Sequence, residues 1–203
     1  EQWNGSSWTE VGDFTTGRGA GMCVGTNTAA LAFGGSPVPG GKGVLTEEWN
    51  GTSWTELNDL STGRDYFGGS GTTTSALAFG GNPGYKSDTE EWSFPSAPAV
   101  QEGQVWFNTV SATLKGYAAQ GTGAWAAGGN LNSAHSEKPG GVGTQTASLC
   151  FGGNPYLQTN EEYNGTSWSE KGDLNTGRMR LAASKAGTVT AALAIAGEVP
   201  PNS

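Results

Sequence analysis

The amino-acid sequence predicts an all-β fold, and three observations carry that reading. Glycine supplies 35 of 203 residues, more than twice the usual share, without the strict period of collagen. Eight Trp, seven Phe and five Tyr are spread along the chain and supply core, which sets it apart from a disordered glycine-rich segment. Short apolar runs closing in Gly-Gly alternate with aromatic pairs joined through Asn-Gly, and no helical period with caps survives anywhere.

The elements follow in chain order from one repeat. Glu1-Gln-Trp-Asn-Gly-Ser-Ser-Trp8 returns as Glu47-Glu-Trp-Asn-Gly-Thr-Ser-Trp54 and as Glu161-Glu-Tyr-Asn-Gly-Thr-Ser-Trp168. Each copy reads as two strands joined through Asn-Gly, where both positions accept positive φ. Ten residues after Trp8, Trp54 and Trp168 stand Arg18, Arg64 and Arg178, and the same offset from Trp125 reaches His135 in a diverged copy. A small, glycine-rich stretch follows, such as Gly68-Gly-Ser-Gly-Thr72, suited to close packing near an axis. Then come Ala30-Leu-Ala-Phe-Gly-Gly35, Ala76-Leu-Ala-Phe-Gly-Gly81, Ser148-Leu-Cys-Phe-Gly-Gly153 and a weakened Ala192-Leu-Ala-Ile-Ala-Gly197, each a short buried strand bounded by glycine. The 46-residue period from Trp8 to Trp54 falls in the range of a β-propeller blade.

Counting strands gives a single propeller over residues 1–203. Residues 1–10 supply the last two strands of a blade, 178–197 the first two, and Arg18–Trp54, Arg64–Trp125 and His135–Trp168 are whole units. The two half-blades are complementary, so the expectation is four blades closed by the chain's own halves; the rival is an excerpt from a longer array. The start at Glu1 rather than Met reads as a processed product or a fragment.

One stretch breaks the repeat. Trp92 to Tyr163 spans 71 residues where Trp49 to Trp92 spans 43. The insertion, 93–120, has a Pro-rich lead-in and two β-like runs, Gln104–Asn108 and Thr113–Tyr117, that predict a protruding hairpin.

The order Arg64, Gly80-Gly81, Trp92, Trp125 resembles the kelch repeat, and the resemblance covers nearly the whole chain outside 93–120. It implies a propeller and leaves function open, because such propellers host enzymes, scaffolds and binders alike. The Glu-Gly-x-x-Trp-Phe-Asn…Leu-Lys-x-Tyr pattern at 102–117 resembles a hairpin motif of bacteriophage tail and fibre proteins, and the WNGTSWTEL…TGR repeats resemble those in structural proteins of marine tailed phages. These resemblances imply a virion or appendage component.

Charge excludes some partners. Ten basic against 18 acidic residues leave a net charge of −8, which speaks against nucleic acid and anionic membrane surfaces. No apolar run approaches the 18 residues of a spanning helix. Catalytic candidates are few. With His135 as the lone histidine, the two-His copper site of kelch-type radical oxidases and a His₃ or Cys₂His₂ zinc site are out of reach. A Ser-His-Asp triad would have to use His135, which stands where other units carry Arg, and its reading is therefore structural. The Gly-Gly pairs lack a following Lys-Ser/Thr and read as turns rather than a phosphate loop. Cys23 and Cys150 lack metal spacing and read as free buried thiols.

Among the recurrent acids, alternation along TEEW sends one Glu of each pair inward to meet the recurrent Arg in a structural ladder, and Glu48, Glu91 and Glu162 are assigned to that repeat. A calcium site built from these acids and Asp13, Asp59 and Asp173 is the lesser reading. Asn4, Asn50 and Asn164 head formal glycosylation sequons, yet they sit in one hairpin turn and turn chemistry accounts for them. The repeat Trp residues Trp8, Trp54, Trp125 and Trp168 read as core. Tyr66, Phe67, Tyr85 and Tyr156 are the candidates for stacking on sugar, and Trp106, Phe107 and Tyr117 of the insertion for docking a partner. The expected protein is a non-enzymatic virion or extracellular component without cofactor or metal. Its partners would be other virion proteins or cell-surface polysaccharide, and homo-oligomers fit that role. A free lectin-like propeller and a fragment of a longer kelch scaffold are the alternatives.

Overall fold

The computed structural model describes residues 1–37, 43–94, 105–108, 113–116, 123–184 and 186–201, and it is all-β among them. Three four-stranded antiparallel sheets repeat one meander in sequence order. Sheet 1 takes Met22–Gly25, Ala30–Phe33, Thr46–Trp49 and Trp54–Glu56. Sheet 2 takes Gly68–Gly71, Ser75–Phe79, Thr89–Ser93 and Ala124–Ala127, and sheet 3 takes Gly140–Thr144, Ala147–Phe151, Asn160–Tyr163 and Trp168–Glu170. Two-stranded pairs flank them, Gln2–Trp3 with Trp8–Thr9 and Ala182–Ala183 with Ala194–Ile195. The strands thus fall where the repeat puts them, and the architecture is propeller-like.

Register is set by the aromatic pairs. Trp3 faces Trp8, Trp49 faces Trp54, Trp92 faces Trp125 and Tyr163 faces Trp168 across neighbouring strands, with ring centroids 5.0–5.6 Å apart. Because side chains alternate along a strand, fixing this one pair fixes which residues face the core. The linking turns use Asn side chains. In the three Asn-Gly turns, Oδ1 of Asn4, Asn50 and Asn164 accepts backbone N–H groups two and three residues on, at 2.9–3.0 Å, over glycines with φ of 92–102°. The sequon asparagines are therefore turn formers, as their position suggested.

The leading strands pack side by side, with Gly68–Gly71 lying between Met22–Gly25 and Gly140–Thr144. Their small residues are required. A Cβ at Gly69 would stand 2.8 Å from Met22 Cγ, and one at Gly141 2.8 Å from the Gly69 carbonyl. The second strands are the core: Leu31, Phe33, Leu77 and Phe79 are fully buried. Sheets interlock through the fourth-strand Trp. Trp125 packs on Phe33 of sheet 1 and gives its indole N–H to Thr46 Oγ1, and Trp168 does the same with Phe79 and Thr89.

The insertion enters between the third and fourth strands of sheet 2 without disturbing their register, since Trp92 still faces Trp125. Within it, Val105–Asn108 pairs antiparallel with Thr113–Gly116 as the pattern predicted. The side chains of Trp106 and Phe107, and the whole of Tyr117, lie outside the described residues. Among the described residues no helix is long and apolar enough to cross a membrane.

Candidate functional site

The recurrent cations hold buried carboxylates. Arg18 Nη1 lies 2.5 Å from Glu47, and Arg64 Nη2 lies 3.0 Å from Glu90 and 2.5 Å from Asp88. Each glutamate also ties down the loop that carries its partner. Glu47 accepts Thr15 N, Glu90 accepts Ser61 and Thr62 N, and Glu161 accepts Asn132 and Ser133 N, all at 2.7–3.1 Å. The paired acid is thus the first of each Glu-Glu, and the assignment of Glu48, Glu91 and Glu162 to this ladder is corrected. Pleating puts Glu47 on the buried side with Trp49 and leaves Glu48 half-buried. The second acids work elsewhere: Glu91 accepts the Tyr163 hydroxyl of the next sheet, and Glu162 pairs with Lys171. Burial and the Glu91 carboxylate together push the Tyr163 phenol up to about 12.

His135 takes the arginine position in sheet 3. It is fully buried, with Nε2 3.3 Å from Glu161 and Nδ1 2.5 Å from the Gly152 carbonyl. Burial alone would lower the imidazole pKa, but the Cys150 and Glu161 side chains and the Gly152 carbonyl outweigh it and raise it. Glu161 moves the other way. Burial would raise its carboxyl, and His135 with the two loop N–H groups brings it below the usual range. Cys150 is buried beside them, whereas Cys23 is exposed, which corrects the expectation that both thiols are core.

A second arrangement surrounds a cavity of about 600 Å³ lined by Ala20–Cys23, Tyr66–Phe67 and Lys138–Gly141 ahead of the three sheets and by Leu181–Ala183 of the C-terminal strand pair. On this lining or directly beside it, residues are held in the left-handed region: Ala20, Tyr66, Lys138 and, next to Leu181, Arg180 have φ between 49° and 60°. Backbone hydrogen bonds link unit to unit there, Tyr66 N to Ala20 O, Lys138 N to Tyr66 O and Arg180 N to Glu137 O, at 2.7–3.1 Å. Side chains add a parallel relay. Ser36 donates to Asp65, Asn82 to Glu137, and Arg180 joins Glu137 to Glu198. Non-glycine residues held at positive φ cost about 1–3 kcal/mol each and persist where the surroundings over-determine them. Here the neighbouring unit does so.

The four aromatic candidates divide. Tyr66 is exposed at the cavity mouth, but Phe67 is 1% exposed and packs on Phe33, so it is core and cannot stack on a ligand at the surface. Tyr85 is 55% exposed and its hydroxyl accepts a 2.7 Å hydrogen bond from Asn154, which joins its loop to the one carrying the half-buried Tyr156. Asp65 and Asn82 bridge the Tyr66 and Tyr85 loops. Tyr66, Tyr85 and Tyr156 therefore stand on linked loops. Sequence reasoning missed Glu137, Lys138 and Arg180; the signal available was their shared place just after the recurrent Arg or His. Trp125 and Trp168 are buried, while Trp8 is 64% exposed and Trp54 half-buried, so only two of the four repeat Trp residues are core. Among the described residues no cluster of three His, Cys, Asp or Glu side chains could hold a metal.

No protein family and no curated protein matches the chain. Solved structures do match, among them one described as the structure of YjhT, at 12% identity and a TM-score of 0.66. The match covers 96% of this chain and 66% of that one, so the chain spans about two thirds of that protein's length. At this identity the likeness defines the fold alone, a β-propeller-like array of four-stranded sheets.

Proposed function

We propose that this chain is a non-enzymatic structural component of a virion or extracellular appendage. Its repeats form a four-bladed kelch-like ring completed by the two terminal strand pairs, and the inserted hairpin docks it to a partner protein or a host-surface glycan. The observation that carries this reading is the insertion. It alone breaks the repeat, it enters between two adjacent strands without shifting their register, and its sequence resembles a phage tail-fibre hairpin. A rigid scaffold that tolerates an added element in this way suits display. The test is density-gradient fractionation of the native source with mass spectrometry for this chain. Co-banding with phage-sized particles, lost on deletion of residues 95–118, is the expected result; a chain found wholly among soluble proteins overturns it.

A lectin-like binder is the second reading, favoured by the exposed Tyr85 ring beside Asn154, an apolar face next to an amide that can bond hydroxyls. It predicts that glycan-array binding survives the 95–118 deletion and is lost in Tyr85→Ala.

A further inference from the structure

The segment leading into sheet 3 is one residue longer than its counterparts. Met22 lies four residues after Arg18 and Gly68 four after Arg64, but Gly140 lies five after His135. The added residue makes Glu137 and Lys138 consecutive in the left-handed region, with φ of 53° and 60°, where Tyr66 is a single one. Each such residue costs about 1–3 kcal/mol. The surroundings hold the pair in place. Lys138 N donates to Tyr66 O at 2.7 Å, and Asn154 N donates to Ser136 O at 3.0 Å. Asn82 Nδ2 donates to Glu137 Oε1 at 3.3 Å, and Arg180 gives Glu137 its backbone N–H and its Nε at 2.8 and 3.0 Å.

Doubled strain that four neighbours maintain points to what the extra residue delivers, which is a charge at a cavity. Lys138 joins the lining of the 600 Å³ cavity, and among the described residues its ammonium makes no ion pair. Glu137 beside it is already paired with Arg180. The other side chains of the lining are apolar or aromatic, with Met22, Phe67, Pro139 and Leu181 among them and the 42%-exposed ring of Tyr66 on the segment bonded to Lys138. The volume is that of a small-molecule pocket, about 300–1,000 Å³.

An apolar concavity with one ammonium and one tyrosine face suits a ring that has a C–H face and a single negative charge. Lysine is a point charge, which a monoanion neutralises. A dianion would bring a second charge toward Asp65 and Glu137, the acids that flank Tyr66 and Lys138 in sequence. We propose that the cavity at Tyr66 and Lys138 is a subsite for a sugar ring carrying one negative charge, a carboxylate or a sulfate ester. Lys138 Nζ pairs with that charge and the Tyr66 ring stacks on the C–H face. Asn154, whose amide meets Tyr85, is bonded to the same loop, so the subsite adjoins the Tyr85 surface. This names the charge class of the ligand in the glycan-binding reading, on which it rests. The net charge of −8 repels acidic glycans elsewhere on the chain, so their capture requires a local cation.

The test is a glycan array of matched members, each neutral glycan printed beside its uronate, 6-sulfate and 6-phosphate counterparts. It is probed with the full chain, with Lys138→Gln and with Lys171→Gln, which removes the same charge outside the cavity lining. The expected result is a uronate or 6-sulfate member bound at least about tenfold more tightly than its neutral parent, the lower end of what one charged hydrogen bond contributes. That excess disappears in Lys138→Gln and persists in Lys171→Gln, and the two arms tell carboxylate from sulfate. Lys138 is exposed, so its substitution leaves the urea midpoint unchanged and the loss is one of recognition. Equal binding of neutral and charged members overturns the proposal and leaves the lectin reading standing. So do a preference indifferent to Lys138→Gln, one weakened equally by Lys171→Gln, and one for the 6-phosphate over both monoanions. Binding to no glycan at all overturns both.

Discussion

Glu90→Ala removes the carboxylate that joins three parts of one unit. Glu90 is 4% exposed, accepts Ser61 N at 2.7 Å and Thr62 N at 3.1 Å, and neutralises Arg64, which is itself 1% exposed. Deleting one member of a buried pair strands the other and costs about 3–5 kcal/mol, whatever the intact pair contributes on balance. Arg64 keeps Asp88, whose side chain is 38% exposed, together with the Gly80 and Asp88 carbonyls, which places the cost near the lower end, about 3 kcal/mol. Against a total stability of about 5–15 kcal/mol that is a large fraction. Urea unfolding followed by Trp fluorescence reads it directly. With a slope of about 1–3 kcal/mol per molar urea, the midpoint should fall by roughly 1–3 M at unchanged slope. Glu162→Ala is the companion, removing a half-exposed pair with Lys171 that contributes about 0–1 kcal/mol. If Glu90→Ala shifts the midpoint no more than Glu162→Ala does, the ladder of buried carboxylates is not what fixes the loops.

The buried imidazole gives a pH signature. Because the folded His135 pKa is raised, its contribution is complete below about 6.5, the unfolded value, and is lost as pH rises through the folded value. Glu161, held low, contributes above about 4.3 and loses its share as pH falls through its folded value. Stability should therefore decline above neutrality with a slope of at most about 1.4 kcal/mol per pH unit, and His135→Arg/Cys150→Ala, which restores the arginine pattern of the other units, should flatten it. Denaturation midpoints between pH 6 and 9 decide this, and a slope unchanged in the double variant refutes it. Gly140→Ala should cost about 1–3 kcal/mol, since its Cβ would fall 2.3 Å from the Phe151 ring, whereas Gly19→Ala, with open space at that position, should leave the melting temperature unchanged.

Much of the fold was legible because a repeat reports the same physics several times. Asn-Gly turns, apolar strands ending in Gly-Gly and an aromatic pair at constant spacing fix strand order and register in each unit, and the insertion shows as an excess over that spacing. What escaped depends on which face a residue takes within a short strand. Two adjacent glutamates carry the same letter, and only the pairing of Trp49 with Trp54 decides that Glu47 rather than Glu48 points inward. Phe67 looked like a loop aromatic because it follows Tyr66, yet it packs under Gly34 of the neighbouring unit. Trp8 is exposed although its hairpin repeats the sequence and the cross-strand Trp pair of Trp49–Trp54, so the exposure is not written in the repeat itself.

Sheet 3 shows how far one unit can drift while keeping its contacts. Its arginine is His135, its alanine is Cys150, its third-strand Trp is Tyr163 and its Thr is Asn160. These changes compensate in pairs. Imidazole is shorter than a guanidinium, and the larger Cys150 side chain fills volume that Ala32 and Ala78 leave to Arg18 and Arg64. Tyr163 replaces an indole whose N–H, in Trp49 and Trp92, bonds a carbonyl within its own sheet, and it sends its hydroxyl to Glu91 of sheet 2 instead. Asn160 is the one change whose added polar atom finds no partner among the described residues. Its amide nitrogen donates to the Gly172 carbonyl in the loop after the fourth strand, so this position bonds within its own unit where Thr46 and Thr89 bond the indole of the next sheet.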